Sequence, residues 1–250
     1  MGMSDITISG EKLFEFFGFN ITNTFLLSII IEVFIFTVFY FAFKNKKLIP
    51  SRLQNLAEWI LESIFNFIDS ITRDRKKTKE IFPIAATLFI LILFCNYVEL
   101  LPGLGVFHFL RAPTSDLNLT LGLALFSIIF INILSLKRLG FFTYSKRFLN
   151  FKNPILFFVG ILEGISEITK CFSLAFRLFG NIFAGEVLLI ISSFLIAYFV
   201  PLPFLALEII VGFIQALIFS SLVVIFYTSV TEHSQQQKVA NSRSQGLCEK

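Results

Sequence analysis

The chain has 250 residues, of which 56% are hydrophobic and only 15% charged, with 35 Phe and a mean hydropathy of +0.81. A soluble globular domain carries roughly 25% charged residues, so this composition excludes water as the main solvent; several apolar stretches reach the about 20 residues a helix needs to cross a bilayer core. The formal net charge of +4 sits in connecting segments rather than in a stripe on a folded domain, which argues against nucleic acid as a partner.

Residues 1–24 form a mildly amphipathic, polar lead with acidic Asp5 and Glu11. It lacks a basic stretch before an apolar run and cleavage site, so no removable signal peptide is expected and the first span targets the chain. That span runs from about Phe25 to Phe43 and is ended by Lys44, Lys46, Lys47 and Pro50. From Ser51 to about Ile71, Leu53, Leu56, Ile60, Ile64, Phe67 and Ile71 recur at a helical period, with Gln54, Glu58, Glu62 and Asp69 on the other faces. This predicts an amphipathic helix on the membrane surface or against other spans. A charged run from Arg73 to Glu80 leads into a second span, about Ile81 to Leu101, stopped by Pro102 and Gly103. The third span, about Leu117 to Leu136, starts behind Asp116, read as its N-cap, and ends at Lys137 and Arg138. After a basic loop, residues 154–230 hold two long helices that turn at Pro201 and Pro203. The predicted fold class is an all-α polytopic membrane protein of about five crossings plus one amphipathic interfacial helix. Its membrane domain covers 25–231, followed by a polar tail, 232–250.

Nine Lys and Arg residues lie in the loop after the first span, one (Arg111) after the second, and five from Lys137 to Lys152. The positive-inside rule therefore predicts cytoplasmic first and third loops, an external N-terminus and a cytoplasmic C-terminal tail. Cys95, Cys171 and Cys248 are far apart and His108 and His233 are isolated, so neither a metal nor another cofactor is expected. No phosphate-binding Gly-rich loop occurs, so the chain is expected to bind no nucleotide.

The last two helices carry ionisable residues within an apolar region, among them Arg177, Glu186 and Glu208. A centrally placed Arg costs at least about 2.5 kcal/mol even on permissive insertion scales, so such residues are functional candidates, with a structural ion pair as the competing explanation. Arg177 and Glu186 are nine residues apart, about 13.5 Å along a helix axis and half a turn around it, too far for a simple pair. In an antiparallel hairpin, one register brings Glu186 level with Glu208 and Arg177 level with Gln215, because both pairs centre on about residue 197. Arg does not give up its proton and is a fixed charge. Glutamate exchanges protons within reach of neutral pH when partly withdrawn from water, so Glu186 and Glu208 suit a proton path that stops short of the fixed cation.

The segment SLAFRLFGNIFAGE, Ser173 to Glu186, is very similar to the signature helix of subunit a of F-type ATP synthases. LEIIVGFIQALIF, Leu207 to Phe219, resembles the family's next helix, and NYVELLPG, PTSDLNLTL and LEG match upstream in the same order, over roughly residues 25 to 231. The resemblance implies a proton-translocating stator subunit of the Fo sector, offering two aqueous half-channels to a rotating ring of c subunits and having no enzymatic activity of its own. Arg177 would face the ring and separate the half-channels. Glu186 and Glu208 would line the outer one, Asn181 and Gln215 would be polar neighbours of the arginine path, and Ser173 would lie towards the cytoplasmic one. It also implies long, tilted last helices, membrane lipid and peripheral-stalk b subunits as further partners, and indirect contact with the F1 sector. Glu at 186, where mitochondrial members commonly carry His, favours a bacterial plasma (inner) membrane, with an organelle inner membrane or thylakoid as the alternative.

Other signals have two readings each. Asn96 and Glu99 belong to the outer half-channel or cap the second span at the interface. Glu163, Glu167 and Lys170 belong to the inner half-channel or pair at helical spacing. A self-contained secondary carrier would use the same buried charges, but no internal repeat accompanies them. An intramembrane hydrolase would need a Ser/His or metal set that the spans lack.

Overall fold

The computed structural model describes residues 12–16, 19–44, 51–100, 113–140, 154–195 and 201–248. The expected cation Arg111, the basic residues Lys146, Arg147 and Lys152, and His108 lie outside the described residues, as do the side chains beyond Thr231.

The polar lead holds structure that its composition did not suggest. Strands β1 (Lys12–Phe16) and β2 (Phe19–Thr22) form an antiparallel hairpin with Glu15 opposite Asn20 and Phe16 opposite Phe19. Helix α1 (Asn23–Lys44) follows at once, and the Thr22 hydroxyl accepts from the Phe25 N–H at 3.4 Å, in the manner of an N-cap. Helix α2 (Arg52–Thr72) is capped by Ser51 and ends at Arg73, whose φ of 52° turns the chain. Asp74 then caps α3 (Arg75–Glu99), its carboxylate accepting from Lys76 N at 2.9 Å.

A 3-10 turn (Pro113–Ser115) precedes α4 (Leu117–Leu139). Asp116 caps α4 as its position predicts, accepting from Asn118 N at 2.9 Å, and its other oxygen accepts from the Thr24 hydroxyl at 3.0 Å. The start of α1 is thereby tied to the start of α4. Helices α5 (Pro154–Leu195) and α6 (Pro201–Cys248) are the longest, with 42 and 48 residues. The helix thus continues through most of the segment expected as a polar tail.

Five helices are long and apolar enough to cross a membrane, over Asn23–Lys44, Arg75–Glu99, Leu117–Arg138, Gly160–Ser192 and Pro201–Thr231. The chain is an all-α polytopic membrane protein, and α2 is its amphipathic element. Of the residues of α2, Gln54, Ala57, Ile64, Ile68 and Thr72 turn inward, while Leu53 and Leu56 of the apolar stripe are 65% and 57% exposed. At a membrane interface, small and polar residues can take the protein side because lipid accepts the larger apolar ones.

At the centre α6 packs along α3, with α2, α4 and α5 around them. Ile81, Ala85, Leu174, Leu178, Phe219 and Val223 are core residues shared by these helices. Lipid tails are as apolar as Leu, so helices associate here through close packing and interhelical hydrogen bonds. Both are present. At Gly212 a Cβ would come within 3.3 Å of the Asn96 Cβ, and the Asn96 Nδ2 donates to the Gly212 carbonyl at 3.1 Å. Deeper, Ser220 Oγ donates to the Ala85 carbonyl at 2.9 Å, and at the far end Tyr227 donates to Glu80. Three rungs therefore fix the height of α6 on α3.

Candidate functional site

Most of the polar residues singled out from sequence lie along α5 and the facing stripe of α6. Helical spacing puts Glu208, Gly212, Gln215 and Ser220 on one buried side of α6. Glu208 is 8% exposed, and its carboxylate lies directly against Gly185 of α5, where an added Cβ would overlap Oε1 and stand 3.0 Å from Cδ. Only glycine leaves that space. Glu186 follows Gly185 directly on α5. At another level of the hairpin, Lys170 Nζ stands 5.1 Å from the ring centroid of Phe226. Both contacts centre the antiparallel pair at about residue 197, the register expected from the spacing of the charged residues.

The buried polar atoms at this end have few protein partners. Both carboxylate oxygens of Glu208, Oδ1 of Asn96 and Nε2 of Gln215 are buried and lack a hydrogen bond among the described residues. Gln215 is 6% exposed, at the height predicted for Arg177, yet no hydrogen bond joins the two among the described residues. Glu99, at the end of α3 and three residues beyond Asn96, also has buried carboxylate oxygens, as does Glu186 at Oε2.

Arg177 and Ser173 are on another side of α5. Both are exposed and line a cavity of about 420 Å³ with Lys170, Thr169, Leu222 and Phe226. Arg177 has no ion-pair partner among the described residues, while Asn181, one turn on, is half-buried. Of the residues with two readings, Glu167 accepts from Asn132 Nδ2 of α4 at 3.3 Å and Lys170 lies over Phe226. Glu163 is half-buried on α5. Among the described residues no group of three or more His, Cys, Asp or Glu could hold a metal ion.

Two groups were not singled out from sequence. Arg138, read only as the stop of the third span, donates to Glu80 at 2.9 Å and to the Tyr227 hydroxyl at 3.1 Å, with Asp74 3.9 Å away. The available signal was the buried stripe of α6, which runs from Glu208 through Gln215 to Tyr227 at helical spacing. The second is Glu32, a charge in the middle of the first span, which lines a cavity between α1, α3 and α4. An ionisable residue at that depth is a signal in itself.

The profile of the family described as ATP synthase A chain matches residues 25–228. A protein of Campylobacter jejuni subsp. doylei named ATP synthase subunit a is 34% identical, over 76% of this chain and 81% of its own. One of the same name from Syntrophobacter fumaroxidans is 34% identical over 77% of each chain, and ATP synthase subunit a 2 of Vibrio campbellii is 32% identical over 87% of this chain and 91% of its own. With residues 25–228 matched by the family profile and relatives aligned over most of their length, the chain belongs to the ATP synthase A chain family.

Proposed function

We propose that this chain is the proton-conducting stator subunit of an ATP synthase, offering one half-channel from each membrane face to a rotating ring of c subunits. The observation that carries the reading is the separation of two kinds of polar group on the last two helices. Among the described residues, Glu208, Asn96 and Gln215 carry buried polar atoms without a hydrogen bond, whereas Arg177 stands on the exposed side of α5 without a carboxylate partner.

Each buried polar atom without a partner costs about 1–3 kcal/mol, a cost that ordered water removes where the site is polar. A water-filled path past Glu99, Asn96, Glu208 and Glu186 then brings protons from the outer face, with the two glutamates exchanging them in turn. Arg177 cannot pass a proton on. Its guanidinium is instead placed to attract a carboxylate carried by a partner in the membrane, and this favours release of a proton from that carboxylate on one side and blocks a direct leak to the other. Ser173 and Lys170 line the cytoplasmic approach, with Glu163 at its entrance, and Asn181 and Gln215 are polar neighbours of the arginine path.

In this reading nucleotide chemistry belongs to the F1 sector, reached through the ring and the peripheral-stalk b subunits. The charge pattern of the loops supports an external N-terminus and a cytoplasmic C-terminus in a bacterial plasma membrane. The test is ATP-driven proton pumping in membrane vesicles carrying the assembled complex. Arg177→Ala is expected to abolish pumping; pumping at the unsubstituted level with that variant would overturn the assignment.

A further inference from the structure

Arg177 shares its cavity with a second cation. Lys170 lies seven residues earlier on α5, about 10.5 Å along the helix axis and within about 20° around it, and both side chains line the space of about 420 Å³. No salt bridge among the described residues involves Lys170. A lysine on an apolar surface ordinarily extends its ammonium to water. Lys170 instead holds Nζ 5.1 Å from the ring centroid of Phe226 on α6, inside the reach of about 6 Å for cation–π attraction. The ring is neutral, so it keeps the ammonium in the cavity without cancelling its charge.

The charged groups around this contact are few. On α5, Glu163 and Glu167 precede Lys170 and Arg177 follows it; Glu167 accepts from Asn132 of α4 at 3.3 Å. On α6 the neighbour of Phe226 is Tyr227, which is engaged with Glu80 of α3 and Arg138 of α4. The remaining lining, Ser166, Thr169 and Leu222 among it, carries no charge. At an effective dielectric constant of about 20, a unit charge about 10 Å from a carboxyl moves its proton balance by about one pH unit. Lys170 is therefore placed to act on any carboxylate that Arg177 attracts.

We infer that Phe226 is a positioning residue: it holds the Lys170 ammonium in the cytoplasmic approach, where that charge disfavours protonation of the ring carboxylate and sets the highest cytoplasmic pH at which the ring still takes up protons. This rests on the reading of Arg177 as the residue that meets the ring. If the same contact served packing alone, its loss would change stability and leave the pH dependence where it was.

The experiment uses inverted membrane vesicles carrying the assembled complex, in which the medium stands for the cytoplasm. ATP-driven pumping is followed against medium pH and each variant is scaled to its own maximum. The F1 sector is the same in every variant, so its own pH dependence is common to all. Lys170→Gln is expected to move the alkaline half-point of pumping upward by about half to one pH unit. Phe226→Leu frees the lysine to extend to water and should move the half-point in the same direction by less, whereas Phe226→Trp keeps an aromatic face and should leave it in place. In the Lys170→Gln background, Phe226→Leu should add nothing. Phe226→Met supplies the same comparison where Phe226→Leu does not assemble. The inference is overturned by an unmoved or lowered half-point in Lys170→Gln or Phe226→Leu, by a double variant that shifts further than Lys170→Gln alone, or by Phe226→Trp shifting as far as Phe226→Leu. Arg177→Ala separates the two failures: continued pumping by that variant removes the proton-path reading itself, while its loss together with an unmoved Phe226→Leu half-point removes only the role of Phe226.

Discussion

The two ends of the α3–α6 interface are built from the same helices and are both polar, yet they are finished differently. At the end where α3 begins, the Tyr227 hydroxyl lies between Glu80 and Arg138, and Arg138 reaches Asp74 as well, so every group has a partner. At the end where α3 finishes, Asn96 gives an amide N–H to Gly212, and its own oxygen, both oxygens of Glu208 and the amide nitrogen of Gln215 are left over among the described residues. Polarity at membrane depth therefore does not by itself mark a conduction path. A closed set of hydrogen bonds holds helices in place, whereas a row of unclosed ones calls for water, and water can carry protons.

The largest effect should come from removing the Glu208 carboxylate, the proton carrier we propose at the unclosed end. Glu208→Ala is expected to lower ATP-driven pumping by on the order of 10²-fold, the scale of a lost proton-transfer group. Tyr227→Phe, at the closed end, should leave pumping within about twofold of its starting rate while weakening the fold by about 1 kcal/mol. Vesicle pumping and detergent melting of the same preparations measure the two. Equal losses of pumping in both variants would erase the distinction between the ends.

A smaller effect tests the height of Glu208. Gly185→Ala puts a methyl group where the Glu208 carboxylate lies, and that carboxylate is the far end of a flexible side chain that can swing aside. Pumping should fall about threefold to tenfold, as expected for a displaced rather than a lost proton-transfer group. Glu208→Asp, with a side chain one methylene shorter, should recover part of the loss in the Gly185→Ala background. Failure of the double variant to improve on Gly185→Ala would mean that the two residues do not meet in the working complex.

How far these features could be read from sequence depends on the range over which their causes act. The five spans follow from local composition, and the Asp116 cap needs only the two residues after it. The level of Glu208 against α5 follows from a constant rise per residue once the turn at Pro201 is placed, so a long-range feature became arithmetic. The Arg138 cluster did not, because its partners are 58 and 89 residues away in sequence and the side chains that meet there look like ordinary span ends. The inward face of α2 was left open for a different reason: hydropathy identifies its apolar stripe but not whether lipid or protein receives it, and Leu53 and Leu56 are exposed while Gln54 and Ala57 turn in. Arg138→Ala should destabilise the chain by about 1–2 kcal/mol, reduced from a fully buried case because Arg138 and Glu80 side chains are 23% and 42% exposed.

The smallest effects form the sharpest contrast, because two rungs of one ladder share the same chemistry. Ser220 donates to the Ala85 carbonyl and Asn96 to the Gly212 carbonyl. Each acceptor also belongs to the backbone ladder of its own helix, so deleting the side chain leaves no carbonyl stranded. Ser220→Ala and Asn96→Ala should then each cost only about 0.6–1.7 kcal/mol, the range for single interhelical hydrogen bonds in membranes, as measured by detergent melting. Their pumping rates should part. Ser220 uses its hydroxyl inside the packed middle of the interface, so Ser220→Ala should pump normally. Asn96 keeps an oxygen turned towards the unclosed end, and its removal takes an acceptor from the proposed water path, so Asn96→Ala should slow pumping severalfold at nearly the same stability. Equal pumping by the two variants would show that the leftover oxygen of Asn96 is incidental and would move the path away from α3.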